Sequence, residues 1–202
     1  MIIIDQSFYL RDGLNVAKDL IGKILVREYQ EKTYRYKIVE TEAYMAPEDK
    51  ASHAYGGKLT PRTRPMFEQG GITYIYLIYG MYHCLNIVAQ KKGTAHAVLI
   101  RALEPIDQES INFASDNRNI KSKKMYDLTN GPGKLCKALI IDKSLNEILV
   151  TKQNPLYIED APAQKNIVSD KRINIAYAEE YQDMPWRFYI EGNPYVSVLK
   201  AK

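Results

Sequence analysis

Residues 73–88, TYIYLIYGMYHCLNIV, alternate position by position. Tyr74 and Tyr76 interleave with Ile75 and Leu77; after Gly80, Met81, His83, Leu85 and Ile87 interleave with Tyr82, Cys84, Asn86 and Val88. A period of two belongs to a strand with two different faces. Two such runs around Ile78-Tyr79-Gly80-Met81 predict a β-hairpin, with Gly80 supplying any positive φ at the tip. The hairpin commits this region to antiparallel sheet. It also puts the Tyr79 ring on an exposed tip, where burial does not account for it.

The remaining pattern fits around that sheet. KILVREY and TYRYKIVE are strand-like runs joined by a polar turn at Gln30-Glu31-Lys32, and HAVLIRALEP is a strand ending at Pro105. PLYI, RINIAYA, WRFYI and PYVSVL are short strand candidates in the tail. LNVAKDLIG places Leu14, Ala17, Leu20 and Ile21 on one helical face, with Gly22 as the stop. NGPGKLCKALIID predicts a helix entered through a glycine-rich turn, and its Asn-Gly-Pro-Gly-Lys lacks the spacing of a phosphate-binding P-loop. Residues 45–72, with Pro47, Pro61 and Pro65, form one long ordered loop, and such loops in compact domains usually carry function. Residues 106–130 are polar and expected to be irregular, with Lys121-Ser122-Lys123-Lys124 as their disordered spot. The expectation is an α+β fold, one domain over residues 1–202. Its curved antiparallel sheet forms a partly open barrel, with surrounding helices and a protruding hairpin.

Several function classes fall away on composition. Cys84 and Cys136 stand far apart, and His53, His83 and His96 are scattered, so no zinc site follows from standard spacings. Base-deaminase zinc motifs are absent as well. Two reduced thiols suit a cytoplasmic protein, the run before Asp5 is too short for a signal peptide, and no stretch approaches a membrane span. A net charge of +4 permits nucleic acid as a partner without requiring it. The oddity is 16 Tyr against 4 Phe and 1 Trp. Tyrosine suits both wet-edged cores and faces that stack on bases.

The residues with chemistry cluster in VETEAYMAPEDKASHAYGGKLTPRTRPMF, residues 39–67. Glu40 and Glu42 lie two apart on a strand and so share a face. They are too close together to flank a sugar from both sides, which argues against a carbohydrate glycosidase. One of them alone could serve as a general base if it is partly buried beside a water; otherwise both are solvated strand-end charges. Arg101 interrupts the apolar run AVLIRALEP, and an unpaired guanidinium there is very costly to bury. It therefore needs a carboxylate partner, Glu42 or Glu40, either as a structural pair or to hold a water between them. Asn86 raises the same tension within LNIVA, as a satisfied amide or as a selector of one hydrogen-bonding edge.

Taken together, ETEAY, the following Pro-Glu-Asp, His53, GGKLTPRTRPMF, YIYLIYGMYHCLN, VLIRALEP, NGPGKLCKAL and WRFYIEGNPYVS closely resemble the alkyladenine (3-methyladenine) DNA glycosylase family. The matches run in order over nearly the whole chain. The resemblance implies an enzyme that flips alkylated or deaminated purines (3-methyladenine, 7-methylguanine, hypoxanthine, ethenoadenine) out of double-stranded DNA and hydrolyses the N-glycosidic bond, leaving an abasic site. By similarity Glu42 activates the water, Arg101 helps hold it, and the carbonyl of Ile173 is a third water contact. Tyr44, His53 and Tyr76 resemble the cage that stacks on the flipped base. Asn86 matches the position that clashes with the 2-amino group of guanine. Tyr79 matches the wedge that fills the gap in the duplex, and Met81, Lys58 and Arg62 are assigned to the DNA backbone. His83 receives no role. The resemblance implies no metal and no cofactor, a hydrolytic monofunctional reaction without a lyase step, a monomer, and a cytoplasmic, nucleoid-associated setting in bacteria or a nuclear one in eukaryotes. A non-catalytic module that captures damaged or single-stranded nucleic acid is the alternative, and Glu42 beside Arg101 is the feature that such a module does not need.

Overall fold

The computed structural model describes residues 2–120 and 124–198. Eight strands build it: β1 (Ile24–Tyr29), β2 (Lys32–Met45), β3 (Thr73–Ile78), β4 (Tyr82–Ala89), β5 (His96–Pro105), β6 (Leu156–Glu159), β7 (Ile167–Asp170) and β8 (Arg187–Ile190). Four α-helices accompany them: α1 (Gln6–Tyr9), α2 (Gly13–Asp19), α3 (Gln108–Arg118) and α4 (Pro132–Ala138). The sheet runs β3-β4-β5-β2-β1-β6, with β8 added to β2 and β7 to β8, and every pairing is antiparallel. It is an α+β fold whose sheet does not close into a barrel.

The long strand β2 positions the site. Its first half pairs with β1 as far as Lys37, and Glu40 to Glu42 then pair with β8 along the same edge. Where the neighbour changes, the register against β5 slips: Ile38 faces Leu103, Glu40 faces Ala102 and Thr41 faces Ile100. Val39 and Arg101 are thus left without partners. Such bulges bend a strand and re-aim its side chains. Here they bring Glu40, Glu42 and Arg101 together on one face. On the other face, the Thr41 hydroxyl donates to the Ala17 carbonyl of α2 at 2.8 Å. Val16 and Ala17 of α2, with Leu20 just after it, join Ile38, Ile75, Leu85, Ile87, Ile100 and Leu103 in the main core. Burying each large side chain contributes about 1.5–3 kcal/mol, enough for this face to hold the strand's orientation.

The β3–β4 hairpin alternates as expected. Ile75, Leu85 and Ile87 enter the core, whereas Tyr74, Tyr76, Cys84 and Asn86 line a cavity on the other face. The loop over residues 46–72 is ordered by two short 3-10 turns, Tyr55–Gly57 and Arg64–Phe67.

Three expectations fail for local reasons. Residues 108–118 are helical, not irregular: the Asp107 carboxylate caps Ser110 N at 2.7 Å, and Asn119 ends the helix at φ 44°. RINIAYA is no strand, because Ile173 N donates to a carboxylate and Ala176–Asp183 coils into 3-10 turns. Residues 194–198 of PYVSVL also make no strand; Ser197 N donates to Glu40 and the Val198 carbonyl accepts from Arg187. The unforeseen strand is β7. Lys121, Ser122 and Lys123 of the basic cluster lie outside the described residues.

Candidate active site

Arg101 sits between the two glutamates. Its Nε donates to Glu40 Oε1 and its Nη1 to Glu42 Oε2, both at 3.2 Å, and its Nη2 reaches the Ser197 hydroxyl. Both carboxylates are fully buried, which removes the reading of solvated strand-end charges. Glu40 also accepts from Arg187 at 2.8 Å and from Ser197 N at 2.7 Å. Glu40, Arg187 and Ser197 form a polar network outside the lining of the cavity. Glu42 accepts from Ile173 N at 2.7 Å on Oε1 and from the Tyr44 hydroxyl at 2.8 Å on Oε2. A carboxylate offers about four acceptor positions. Three donors therefore leave room for one more.

Glu42's three donor residues, Tyr44, Arg101 and Ile173, floor a cavity of about 520 Å³, with Glu42 directly behind them. That volume is in the range of small-molecule sites. Burial opposes the Arg101 charge, but Glu42 and then Glu40 outweigh it and raise its pKa. Burial, and secondarily the Glu42 charge, push the Tyr44 hydroxyl well above its ordinary value. Burial does the same to Tyr76. Both remain neutral phenols.

The walls are aromatic. The His53 ring meets Tyr76 edge-on at 4.6 Å between centroids, and Tyr74 lies 5.5 Å from Tyr76. His53 Nε2 is 3.2 Å from Arg62 Nη2, and its Nδ1 is 2.9 Å from the Tyr74 hydroxyl. Arginine only donates, so Nε2 accepts and the ring proton sits on Nδ1. Desolvation against the cavity wall, then the Arg62 charge, lower the His53 pKa to about 4, which keeps the ring neutral at pH 7. Asn86 is locked, its amide nitrogen donating to the carbonyls of Tyr74 at 3.0 Å and Cys84 at 3.4 Å.

At the mouth, Tyr79 is 78% exposed with φ 53°, and Gly80 follows at φ 70°. Positive φ at both central residues is the mark of a type I′ turn, closed here by Met81 N to the Ile78 carbonyl at 3.2 Å. Arg62 is exposed and lies over the Tyr76 ring at 5.3 Å, outside the cavity lining. Lys58 and Met81 are exposed and outside the lining. His83 pairs with Leu77 on the hairpin and is also outside it.

Sequence reasoning missed several residues here. Arg118 of α3, Lys134 of α4 and the exposed Tyr177 line the mouth, and Asp49 and Arg172 support the floor. A helix over 108–118 would have brought Arg118 forward; Asp49 and Arg172 carry no local signal. Among the described residues, no group of three or more His, Cys, Asp or Glu has the disposition of a metal site, and no helix is long and apolar enough to cross a membrane.

A sequence model of methylpurine-DNA glycosylases matches residues 7–194. A Clostridium botulinum protein named "Putative 3-methyladenine DNA glycosylase" is 50% identical over 200 residues, covering 97% of this chain and 99% of its own length. Proteins of the same name from Natranaerobius thermophilus and Clostridium tetani are each 50% identical, over 197 and 199 residues. Each alignment covers 96% of this chain and 98% of the relative.

Proposed function

The chain belongs to the methylpurine-DNA glycosylase family, and on that premise we propose that it hydrolyses the N-glycosidic bond of damaged purines in duplex DNA. The observation that carries this reading is a buried carboxylate, Glu42, held by Arg101, Tyr44 and Ile173 behind an aromatic cavity. An aromatic surface that only captured bases would have no use for a desolvated acid at its floor.

Tyr79 enters the duplex and fills the gap as the lesion rotates out, offsetting part of the few kcal/mol that unstacking costs. The base enters the cavity against Tyr44, His53 and Tyr76. Aromatic stacking contributes about 1–3 kcal/mol per base. Electron-poor alkylated rings gain most, and a neutral His53 avoids repelling a cationic lesion. Asn86, fixed by two backbone carbonyls, crowds the 2-amino group of an undamaged guanine. Lys58 and Arg62, with Met81, meet the backbone flanking the lesion.

A water bound by Glu42, Arg101 and the Ile173 carbonyl then attacks C1′. Its oxygen bonds to carbon, its proton passes to Glu42, and the electron pair of the C–N bond leaves with the base. A purine alkylated at N3 or N7 carries positive charge and departs neutral, so a single carboxylate suffices. No amine nucleophile is involved, and the product is an abasic site without strand cleavage. Residues 1–202 act as one domain and as a monomer, on bacterial DNA in the cytoplasm.

The test is release of free base from methylated duplex DNA in the presence of chelator. Release of 3-methyladenine supports the reading, and none, with chelator or with magnesium, overturns it. Single-turnover rates on 3-methyladenine, 7-methylguanine, hypoxanthine and ethenoadenine duplexes then give the substrate range.

A further inference from the structure

Beneath the cavity floor lies an ion pair that the chemistry above does not use. The side chains of Asp49 and Arg172 are both 0% exposed. Arg172 Nη1 donates to Asp49 Oδ2 at 2.6 Å and to the Ala43 carbonyl at 2.9 Å. Its Nη2 donates to Asp49 Oδ1 at 2.8 Å and to the Tyr181 carbonyl at 3.2 Å. The guanidinium carbon lies 4.8 Å from the Tyr44 ring centroid and 4.9 Å from that of Trp186. Asp49 also accepts from Met45 N and Ala51 N, both at 3.0 Å. Apolar residues of similar volume often stabilise a fold as well as a buried ion pair does. Stability alone is therefore a weak explanation for this one.

Its neighbours supply a better one. Ile173, whose N–H donates to Glu42 Oε1, follows Arg172 in the chain, and Tyr44, whose hydroxyl donates to Glu42 Oε2, packs its ring on the Arg172 guanidinium. Glu42's third donor, Arg101, comes from β5 and has no hydrogen bond to the pair. We propose that Asp49 and Arg172 are positioning residues that fix the orientation of Glu42 by holding the Ile173 N–H and the Tyr44 hydroxyl on its carboxylate. The inference rests on Glu42 acting as the base.

The experiment measures single-turnover release of 3-methyladenine from methylated duplex alongside affinity for a duplex carrying an uncleavable abasic analogue. Wild type is compared with Arg172→Lys and Asp49→Asn, each checked by thermal melting. In the folded variants the rate falls roughly 10- to 100-fold, the equivalent of one hydrogen bond to a charged group. Affinity for the abasic-analogue duplex is unchanged, so the loss falls on the chemical step alone. Weaker binding that accounts for the slower rate, a rate loss matching the loss of folded protein, or failure of both variants to fold makes the pair structural and overturns the inference. Wild type that releases no base instead removes the reading beneath it, a result distinct from failure of the pair alone.

Discussion

Two groups, Glu42 and His53, show how environment assigns chemistry to a residue. Glu42 and Glu40 sit two apart on one strand and are equally buried. Only Glu42 takes all its donors from residues of the cavity floor, whereas Glu40 is tied to Arg187 and Ser197. His53 is set by Arg62 on one nitrogen and Tyr74 on the other. Its pKa falls from an ordinary 6.5 to about 4 in the folded protein, so the unfolded chain binds the proton more readily. The stability that neutral His53 contributes is complete above about pH 6.5 and is lost as pH falls toward about 4. His53→Gln should flatten the fall in Tm across that window, and identical slopes for variant and wild type would refute the assignment. Arg101 and Asn86 were legible in the sequence because a polar side chain inside an apolar run needs an explanation, whereas Glu42 stood out only through the resemblance carried by ETEAY. Asp49 was not. It sits in a polar loop where a carboxylate is unremarkable, and only its tertiary partner, 123 positions away, gives it weight.

The hairpin tip holds a non-glycine residue in the left-handed region of the backbone map. A tyrosine at φ 53° occupies a left-handed turn position suited to Asn or Gly, at a cost of about 1–2 kcal/mol, and the ring is exposed. An exposed ring at such a position fits the proposed role of entering the duplex. Tyr79→Asn should raise stability by up to about 1 kcal/mol in denaturant titration yet slow base release. Loss of stability, or an unchanged rate, would contradict the wedge. Tyr36→Ala removes a fully buried ring and should cost about 3–5 kcal/mol, so the two tyrosines respond in opposite directions. The hairpin was legible because its alternation is strict and one face is apolar. Helix α3 was not: only Ser110 and Ala114 are fully buried, too thin a stripe to set a helical period. Its end signals, Asp107 and Asn119, were the available evidence. Asp107→Ala should cost about 1 kcal/mol in the same titration, and no loss would remove the cap from the account.

For the molecule as a whole, the site depends on one place where strand β2 exchanges β1 for β8 and slips against β5. The strands themselves could be read from their pattern. The slip could not, since a bulge is decided by pairing partners far along the chain. The tail segments 172–175 and 194–198 illustrate the same limit. They have strand-like composition, but their backbone groups serve Glu42, Glu40 and Arg187 instead of a ladder. A chain of net charge +4 that meets DNA through a few phosphate contacts should lose affinity for duplex steadily as salt rises. The central claim is narrower: a buried Glu42 converts capture into hydrolysis. Its most direct test is single-turnover base release from methylated duplex by wild type and Glu42→Gln, alongside their affinity for an uncleavable abasic analogue. Glu42→Gln is expected to bind as wild type does and to release no base above background. A Glu42→Gln protein that still releases base at the wild-type rate would contradict that claim.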